Sequence, residues 1–297
     1  MHILLAVDQS AYANAVLAWM REFPHPSGTR LTISHVIEPF DVLDTLPGEP
    51  RSRVERRRAD EAQAVLERAT LVLRKRYRDI KCALRQGPAI YELLKLVRES
   101  QPDLIVTGTR GLGVAKGLVL GSVSQRLLSY APCSVLLIPP QAKLKAPLTV
   151  LLATDGSRGA KAAAGIVAAL PKIGRIGLVS VVPPVDQQEV RLYERETKQP
   201  AGLIKRQIQL ARYDLAQRAM DATRGVLDGV KAEVRNKVLV GRPSDALPLE
   251  AKRQNSGLLV LGSRGLTGRL AEVLGSVSLT VAQRATCPVL VVKRPLS

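Results

Sequence analysis

The stretches LIVTGTRG at residues 104–111 and LLVLGSRG at residues 258–265 decide the fold of this 297-residue chain. Each begins with a short apolar run, which is typical of a strand buried on both faces of a sheet. Each then turns polar in a segment that contains two glycines. The sequence therefore predicts that the same strand and the same loop occur twice.

The repeat extends outward on both sides of these stretches. ILLAVDQS at 3–10 matches VLLATDGS at 150–157, and LGSVSQRLLSYAPCSVLLI, starting at Leu120, matches LGSVSLTVAQRATCPVLVV, starting at Leu274. Because their order and spacing agree, we expect two copies of one domain. The predicted boundaries are a first copy at 1–140, a linker at 141–147 and a second copy at 148–297.

Within each copy, apolar runs alternate with segments of helical periodicity. We expect strands at about 2–7, 30–37, 80–85, 103–107 and 134–138, and in the second copy at about 148–153, 175–182, 231–239, 257–261 and 288–293. The long helix of each copy carries an apolar stripe: Ala62, Val65, Leu66, Ala69 and Leu73, then Ile204, Ile208, Ala211, Leu215 and Ala219. Such alternation predicts an α/β fold with a parallel sheet and helices on both faces.

Prolines mark the third predicted helix of each copy: Pro88 in the first copy, and Pro243 and Pro248 in the second. Pro88 and Pro243 each follow a turn that contains a glycine, and each lies where a helix can begin. Pro248 falls inside the predicted helix of the second copy, where we expect a kink because proline lacks the N–H that a helix interior requires.

A glycine pattern, Gly-x2-Gly-x9-Gly-Ser, follows the fourth strand in both copies. It comprises Gly108, Gly111, Gly121 and Ser122, then Gly262, Gly265, Gly275 and Ser276. Glycines let backbone amides approach a ligand closely, and a helix that begins at Gly-Ser offers free N–H groups to an anion. The serine could cap the helix or bind a phosphate oxygen. The alternative is that the glycines only shape a tight turn.

Asp8 and Asp155 follow the first strand of each copy. In an open parallel sheet, ligands bind outside the carboxyl ends of the strands, near the switch point. A carboxylate there could accept a hydrogen bond from an adenine amino group or a ribose hydroxyl. It could equally cap the first helix together with the serine two residues later.

Both halves resemble universal stress protein domains, over nearly the whole chain, and the glycine pattern is similar to that of the ATP-binding branch of this family. The resemblance implies two open five-stranded parallel-sheet α/β sandwiches, Rossmann-like and adenine nucleotide alpha hydrolase-like, with strand order 3-2-1-4-5. It implies ATP, AMP or ADP as the ligand, with Mg²⁺ as a candidate companion.

The resemblance also implies a set of binding residues. Adenine contacts would come from Asp8 and Val36, and from Asp155 and Val181 in the second copy. Phosphate and ribose contacts would come from Gly108, Arg110, Gly111, Gly121, Ser122, Val123 and Ser124, and from Gly262, Arg264, Gly265, Gly275, Ser276, Val277 and Ser278. The chain departs from the family where Arg110 and Arg264 replace a frequent histidine, and where Gln9 replaces a common glycine.

The last strand of each copy, SVLLIP and PVLVVK, is apolar, and an exposed apolar edge invites aggregation. In this family the last strand commonly pairs with that of another domain. We therefore expect the two strands to pair with each other, as a pseudo-dimer within the chain, or with a second chain as a homodimer. The alternative is that loops cover both edges.

These features predict a nucleotide-dependent sensor or scaffold in the stress response. The glycine loop lacks the Gly-Lys-Ser/Thr of P-loop NTPases, so we expect no catalytic residues and at most weak ATP hydrolysis. Two alternatives stay open. One is a slow ATPase or nucleotide-using enzyme on the same fold, and the other is a nucleotide-free interaction protein whose charge attracts nucleic acid.

Composition also bears on other classes of protein, namely nucleic-acid-binding, disulfide-linked, zinc-binding, secreted and membrane proteins. Aromatic residues make up 3% of the chain, which is little for a base-stacking platform, although the net charge of +18 favours polyanions in general. Three cysteines and three histidines provide neither a disulfide framework nor zinc-site spacing. The N-terminus resembles no signal peptide and no apolar run is long enough to span a membrane, so we expect a cytoplasmic protein.

Overall fold

The computed structural model describes residues 1–39, 51–109, 120–144, 146–265 and 274–293. In the first copy the strands and helices alternate as predicted. They are β1 (His2–Ala6), α1 (Ala13–Glu22), β2 (Arg30–Ile37), α2 (Arg51–Leu73), β3 (Asp79–Gln86), α3 (Ala89–Ser100), β4 (Leu104–Gly108), α4 (Ser122–Tyr130) and β5 (Ser134–Ile138).

The second copy repeats this order and, among the described residues, has one further helix. Its elements are β6 (Leu148–Ala153), α5 (Arg158–Ala169), β7 (Ile173–Val182), α6 (Gln187–Thr197), α7 (Ala201–Arg224), β8 (Glu233–Val240), α8 (Pro243–Arg253), β9 (Leu258–Gly262), α9 (Ser276–Arg284) and β10 (Val289–Val292). The additional helix is α6, within the segment 183–202 that has no counterpart pattern in the first copy. A 3-10 turn at Gly225–Leu227 follows α7.

All ten strands of the described residues join one sheet in the order β3-β2-β1-β4-β5-β10-β9-β6-β7-β8. Each copy therefore has the order 3-2-1-4-5, and its neighbouring strands are parallel. The two copies meet where β5 and β10 pair antiparallel, with Leu136 opposite Leu290. The structure thus confirms that the two last strands pair with each other inside the chain.

The sheet separates two apolar cores, and each core runs across the seam between β5 and β10. One core contains Leu136 and Leu290, together with the buried faces of α1, α2, α5 and α7. The other contains Val135 and Val289, together with α3, α4, α8 and α9. Because both cores are shared, the two copies pack as one body around one sheet.

The apolar stripe of the long helix is confirmed in the first copy and partly wrong in the second. Ala62, Leu66 and Leu73 of α2 are buried. In α7, however, Leu215 is 65% exposed, and the buried side chains over the sheet are Ala216, Met220 and Thr223. The error arises because α7 packs against α6 and α5 as well as against the strands β7 and β8, so its buried side chains do not follow one stripe.

Prolines mark the beginnings of α3 and α8, as predicted. Pro88 is the N-cap residue of α3, and Pro243 is the first residue of α8. The second copy keeps Pro248 inside α8, where its ring is buried. Among the described residues, no helix combines the length and the apolar character needed to cross a membrane.

Candidate functional site

The candidate site of each copy lies at the carboxyl ends of two adjacent strands. In the second copy β6 pairs with β9, and on its other side with β7. The helices that follow β6 and β9 belong to opposite cores, α5 to one and α9 to the other. A crevice therefore opens between the starts of α5 and α9, at the position where open parallel sheets bind ligands.

The start of α5 packs directly on the end of β9, and two glycines make this contact. A Cβ on Gly262 would lie 2.7 Å from the carbonyl carbon of Gly159, and a Cβ on Gly159 would lie 2.8 Å from the carbonyl oxygen of Arg264. Neither position tolerates a side chain, because the neighbouring atoms are backbone. Gly159 was not predicted as a site residue. The sequence does contain a signal, because the first copy has Tyr12 at the position that matches Gly159.

Gly265 brings the loop after β9 against the acidic residue after β6. A Cβ on Gly265 would lie 2.6 Å from Oδ2 of Asp155. The other carboxylate oxygen, Oδ1, accepts a hydrogen bond of 3.0 Å from the N–H of Ser157. Because Asp155 is exposed, its carboxylate lies at the surface of the crevice beside the glycine loop.

Gly275 connects the same loop to the start of α9. Its N–H donates to the carbonyl oxygen of Ser263 at 2.9 Å, and a Cβ on it would lie 3.0 Å from that oxygen. Ser278 is buried, and its Oγ donates to the carbonyl oxygen of Gly262 at 2.9 Å. The hydroxyl of Ser278 therefore holds the loop in place, and what Ser278 can offer a ligand is its N–H.

The first turn of α9 carries no side-chain cap. Gly275 is the N-cap residue, Ser276 is exposed, and the first turn contains no acidic residue. Of the two roles left open for Ser276, the structure does not show capping, because a glycine occupies the N-cap position. The N–H groups of Ser276, Val277 and Ser278 precede the first intrahelical bond, from Leu279 to Gly275, and with the helix dipole they favour an anion.

The first copy builds the same connection between loop and helix start from matching residues. The N–H of Gly121 donates to the carbonyl oxygen of Thr109 at 2.7 Å, and Oγ of Ser124 donates to that of Gly108 at 2.6 Å. Gly121 is the N-cap residue of α4 and no side chain caps it, so Ser122 does not act as a cap. Val123 follows in the same first turn. Two predicted site residues, Arg110 and Gly111, lie outside the described residues.

The aspartates that follow the first strands differ in their partners. Oδ1 of Asp8 accepts hydrogen bonds from both the N–H and the Oγ of Ser10, at 3.1 and 2.6 Å. In the second copy the serine has another role, because Oγ of Ser157 accepts from the N–H of Ala160 and caps α5. Asp155 is thus no direct cap of α5.

Val36 and Val181 lie near the ends of β2 and β7, as expected. Both are partly buried against the core that contains α3, α4, α8 and α9. Each therefore forms part of an apolar wall beside the strand ends. An apolar wall is what the flat face of a nucleobase requires.

A lysine that the sequence did not indicate links the second-copy site to the first copy. Nζ of Lys293 donates to the carbonyl oxygen of Ala131 at 2.6 Å, and lies 3.4 Å from that of Ser129, at the end of α4. Burial lowers the pKa of Lys293 to about 8, and the positive charge of Arg264 acts in the same direction. Within the described residues, no group of three or more His, Cys, Asp or Glu side chains forms a metal cluster.

Comparison with known proteins shows that both halves of the chain match the same family. The model of the universal stress protein family matches residues 1–139 and 148–293. A universal stress protein of Mycolicibacterium smegmatis is 29% identical over 299 residues, which cover 98% of this chain and 96% of the relative. One of Thermus aquaticus is 38% identical over 137 residues, covering 46% of this chain and 96% of the relative, so one copy corresponds to a complete relative.

The solved structures agree with the fold. A universal stress protein from Archaeoglobus fulgidus superposes with a TM-score of 0.62 at 21% identity, covering 99% of this chain and 96% of that chain. Both copies are therefore matched together, in tandem.

Proposed function

Because the chain belongs to the universal stress protein family, we propose that it serves the stress response by holding an adenine nucleotide, ATP in the first place and AMP or ADP in addition, in the glycine loop of the second copy. The observation that carries the proposal is the position of the loop Ser263–Gly265. Asp155 lies on one side of this loop, and the amide groups that begin α9 lie on the other.

The chemistry of the crevice suits such a ligand at both ends. The N–H groups of Ser276, Val277 and Ser278 are donors for phosphate oxygens. Arg264 adds a cation beside them. The carboxylate of Asp155 accepts from a hydroxyl or amino group, and Val181 supplies apolar surface. Donors, acceptor and apolar wall therefore occur in the order that a nucleotide requires.

A bound nucleotide supplies a charge-bearing tail that can order the loop which contacts it. The residues of this chain hold and orient that tail, and the surface beside it then differs between the bound and the free protein. We therefore propose a sensor or scaffold. Mg²⁺ beside the phosphates, a homodimer and a cytoplasmic location belong to the same proposal.

Isothermal titration of the full chain with ATP, ADP and AMP tests the proposal, together with mass spectrometry of small molecules released from the purified protein. We expect saturable binding of at least one of them. Gly275→Val places side-chain atoms against the carbonyl oxygen of Ser263 and should abolish binding in the second copy. No heat with any of the three nucleotides, and no released adenylate, would overturn the proposal.

A further inference from the structure

We propose that the two copies are functionally unequal: the second copy binds the nucleotide, and the first copy keeps the phosphate end but has lost the end that recognises the nucleoside. This inference rests on the proposed function and adds the number of ligands that one chain binds. Its source is a difference at two positions, Gln9 and Tyr12, which match Gly156 and Gly159 in the register that aligns Asp8 with Asp155.

The first difference concerns contact between the first helix and the glycine loop. Gly159 lies in the first turn of α5, where a Cβ would come within 2.8 Å of the backbone oxygen of Arg264. The first copy carries Tyr12 at the matching position, and a tyrosine cannot make the same backbone-to-backbone approach. The first copy therefore lacks the glycine that permits this close approach in the second copy.

The start of the helix has moved accordingly. α5 begins at Arg158, the residue that matches Ala11, whereas α1 begins two residues later, at Ala13. Tyr12 itself is the N-cap residue, makes no side-chain capping bond and is 38% exposed. The first copy therefore has an exposed phenol ring at the position where, in the second copy, the first turn of α5 packs on the loop.

The second difference concerns the turn after the first strand. Gly156 has φ +79°, a left-handed conformation that glycine adopts readily and other residues avoid. Gln9 does not adopt a positive φ. The chain therefore leaves β1 along a different path from the one it takes after β6.

This path changes the partners of the aspartate. Oδ1 of Asp8 accepts both the N–H and the hydroxyl of Ser10, and the residue is half-buried. Asp155 is exposed, and its Oδ2 faces Gly265. A nucleoside that bonds to Oδ1 of Asp8 would have to compete with the hydroxyl of Ser10. The hydroxyl of Ser157 has other partners, because it accepts from the N–H of Ala160 and donates to the carbonyl oxygen of Arg264.

The phosphate ends, in contrast, are alike. Gly121 and Gly275 make the same N–H to carbonyl bond, and Ser124 and Ser278 make the same side-chain bond to the end of the fourth strand of their copy. In the part of the two sites that the structure describes, the differences given above therefore lie at the nucleoside end. A hydrogen bond to a charged group contributes about 1.5–3 kcal/mol, which corresponds to a roughly tenfold to hundredfold weaker affinity in the first copy.

Titration of the full chain with ATP decides between one and two sites. We expect one tight site per chain, whereas the first copy binds roughly tenfold to hundredfold more weakly. Asp155→Ala should remove this binding, and the matched variant Asp8→Ala should leave stoichiometry and affinity unchanged. Gly159→Tyr should abolish binding like Asp155→Ala, and the double variant Gln9→Gly, Tyr12→Gly should raise the stoichiometry towards two.

The outcomes separate this inference from the function on which it rests. Two equivalent sites in the unmodified chain, or loss of binding in Asp8→Ala, would overturn the inequality and leave nucleotide binding intact. No binding at all in the unmodified chain would overturn both. The aspartate pair keeps the test decisive if Gly159→Tyr fails to fold, because neither aspartate substitution introduces a larger side chain.

Discussion

Lys293, which follows β10 in the second copy, donates from Nζ to the carbonyl oxygen of Ala131, the residue that ends α4 in the first copy, at 2.6 Å. α4 begins at Gly121 and Ser122, the last residues of the glycine pattern in the first copy. Val292, next to Lys293, accepts the N–H of Ser263 in the loop of the second copy. The hydrogen bond therefore connects the scaffolds of the two sites across the seam.

Lys293 predicts a pH dependence of stability. Its pKa is about 8 in the folded chain, because burial disfavours the charged form, and ordinary lysine titrates near 10.5. Between these values the unfolded chain binds more protons, so the free energy of unfolding contributed by Lys293 rises with pH from about 8. Urea unfolding of Lys293→Gln should show a smaller rise than the unmodified chain.

The comparison needs a control because another group titrates in the opposite direction. Burial raises the pKa of the Cys287 thiol to about 12, so its contribution to stability falls above the ordinary value of 9.0. This term is common to all variants and cancels in the difference. Lys205→Gln, at an exposed position of α7, should retain the slope of the unmodified chain, and equal slopes in all three proteins would contradict the prediction.

Glu250 predicts acid sensitivity of the second copy. Its buried carboxylate accepts hydrogen bonds from Arg253, Gln254 and Lys237, and these partners lower its pKa to about 2. The stability it contributes is present above the ordinary value of 4.5 and is lost as the pH falls from there towards 2.

Glu250→Gln should reduce the free energy of unfolding at neutral pH by about 1–3 kcal/mol and flatten its acid dependence. Chemical unfolding at several pH values measures both effects. Glu194→Gln, at an exposed position of α6, is the matched control and should change neither. An unchanged acid limb in Glu250→Gln would refute the assignment.

Substitution of Gly265 should weaken nucleotide binding without lowering the stability of the fold. Gly265→Ala brings a methyl group against Oδ2 of Asp155 and forces the carboxylate to move, because the side chain is the part that can yield. We expect nucleotide affinity to fall roughly tenfold or more, which corresponds to one charge-assisted hydrogen bond. Gly165→Ala in α5, where a Cβ meets nothing within 4 Å, should bind as the unmodified chain does in the same titration.

The seam predicts cooperative unfolding of the two copies. Leu290 is fully buried and lies opposite Leu136. Leu290→Asp buries a charge in both copies' shared core and should lower the free energy of unfolding by about 3–5 kcal/mol. Val240→Asp, on the outer strand β8 where Val240 is 50% exposed, should cost far less in the same denaturant titration. Equal losses would show that the seam does not join the cores.

Local patterns in the sequence determined most of the fold. Apolar runs and glycine spacing are properties of neighbouring residues, so the duplication, the order of strands and helices and the starts of α4 and α9 were all predictable. So was the stripe of α2, because that helix presents one face to one core. The loop glycines were identified for the same reason, because glycine is the residue type that lets backbone atoms approach closely.

Tertiary structure decided what depends on residues far apart in the chain. The sequence left open whether β5 would pair with β10 or with another chain, and it placed Leu215 on the buried face of α7, because neither the pairing partner nor the neighbour of a helix face is a local property. The hydrogen bond from Lys293 to Ala131 and the contact that Gly159 permits likewise arise only when distant backbone segments meet. The periodicity of apolar residues in the sequence indicates which side chains are buried from water, whereas tertiary packing determines which atoms those side chains contact.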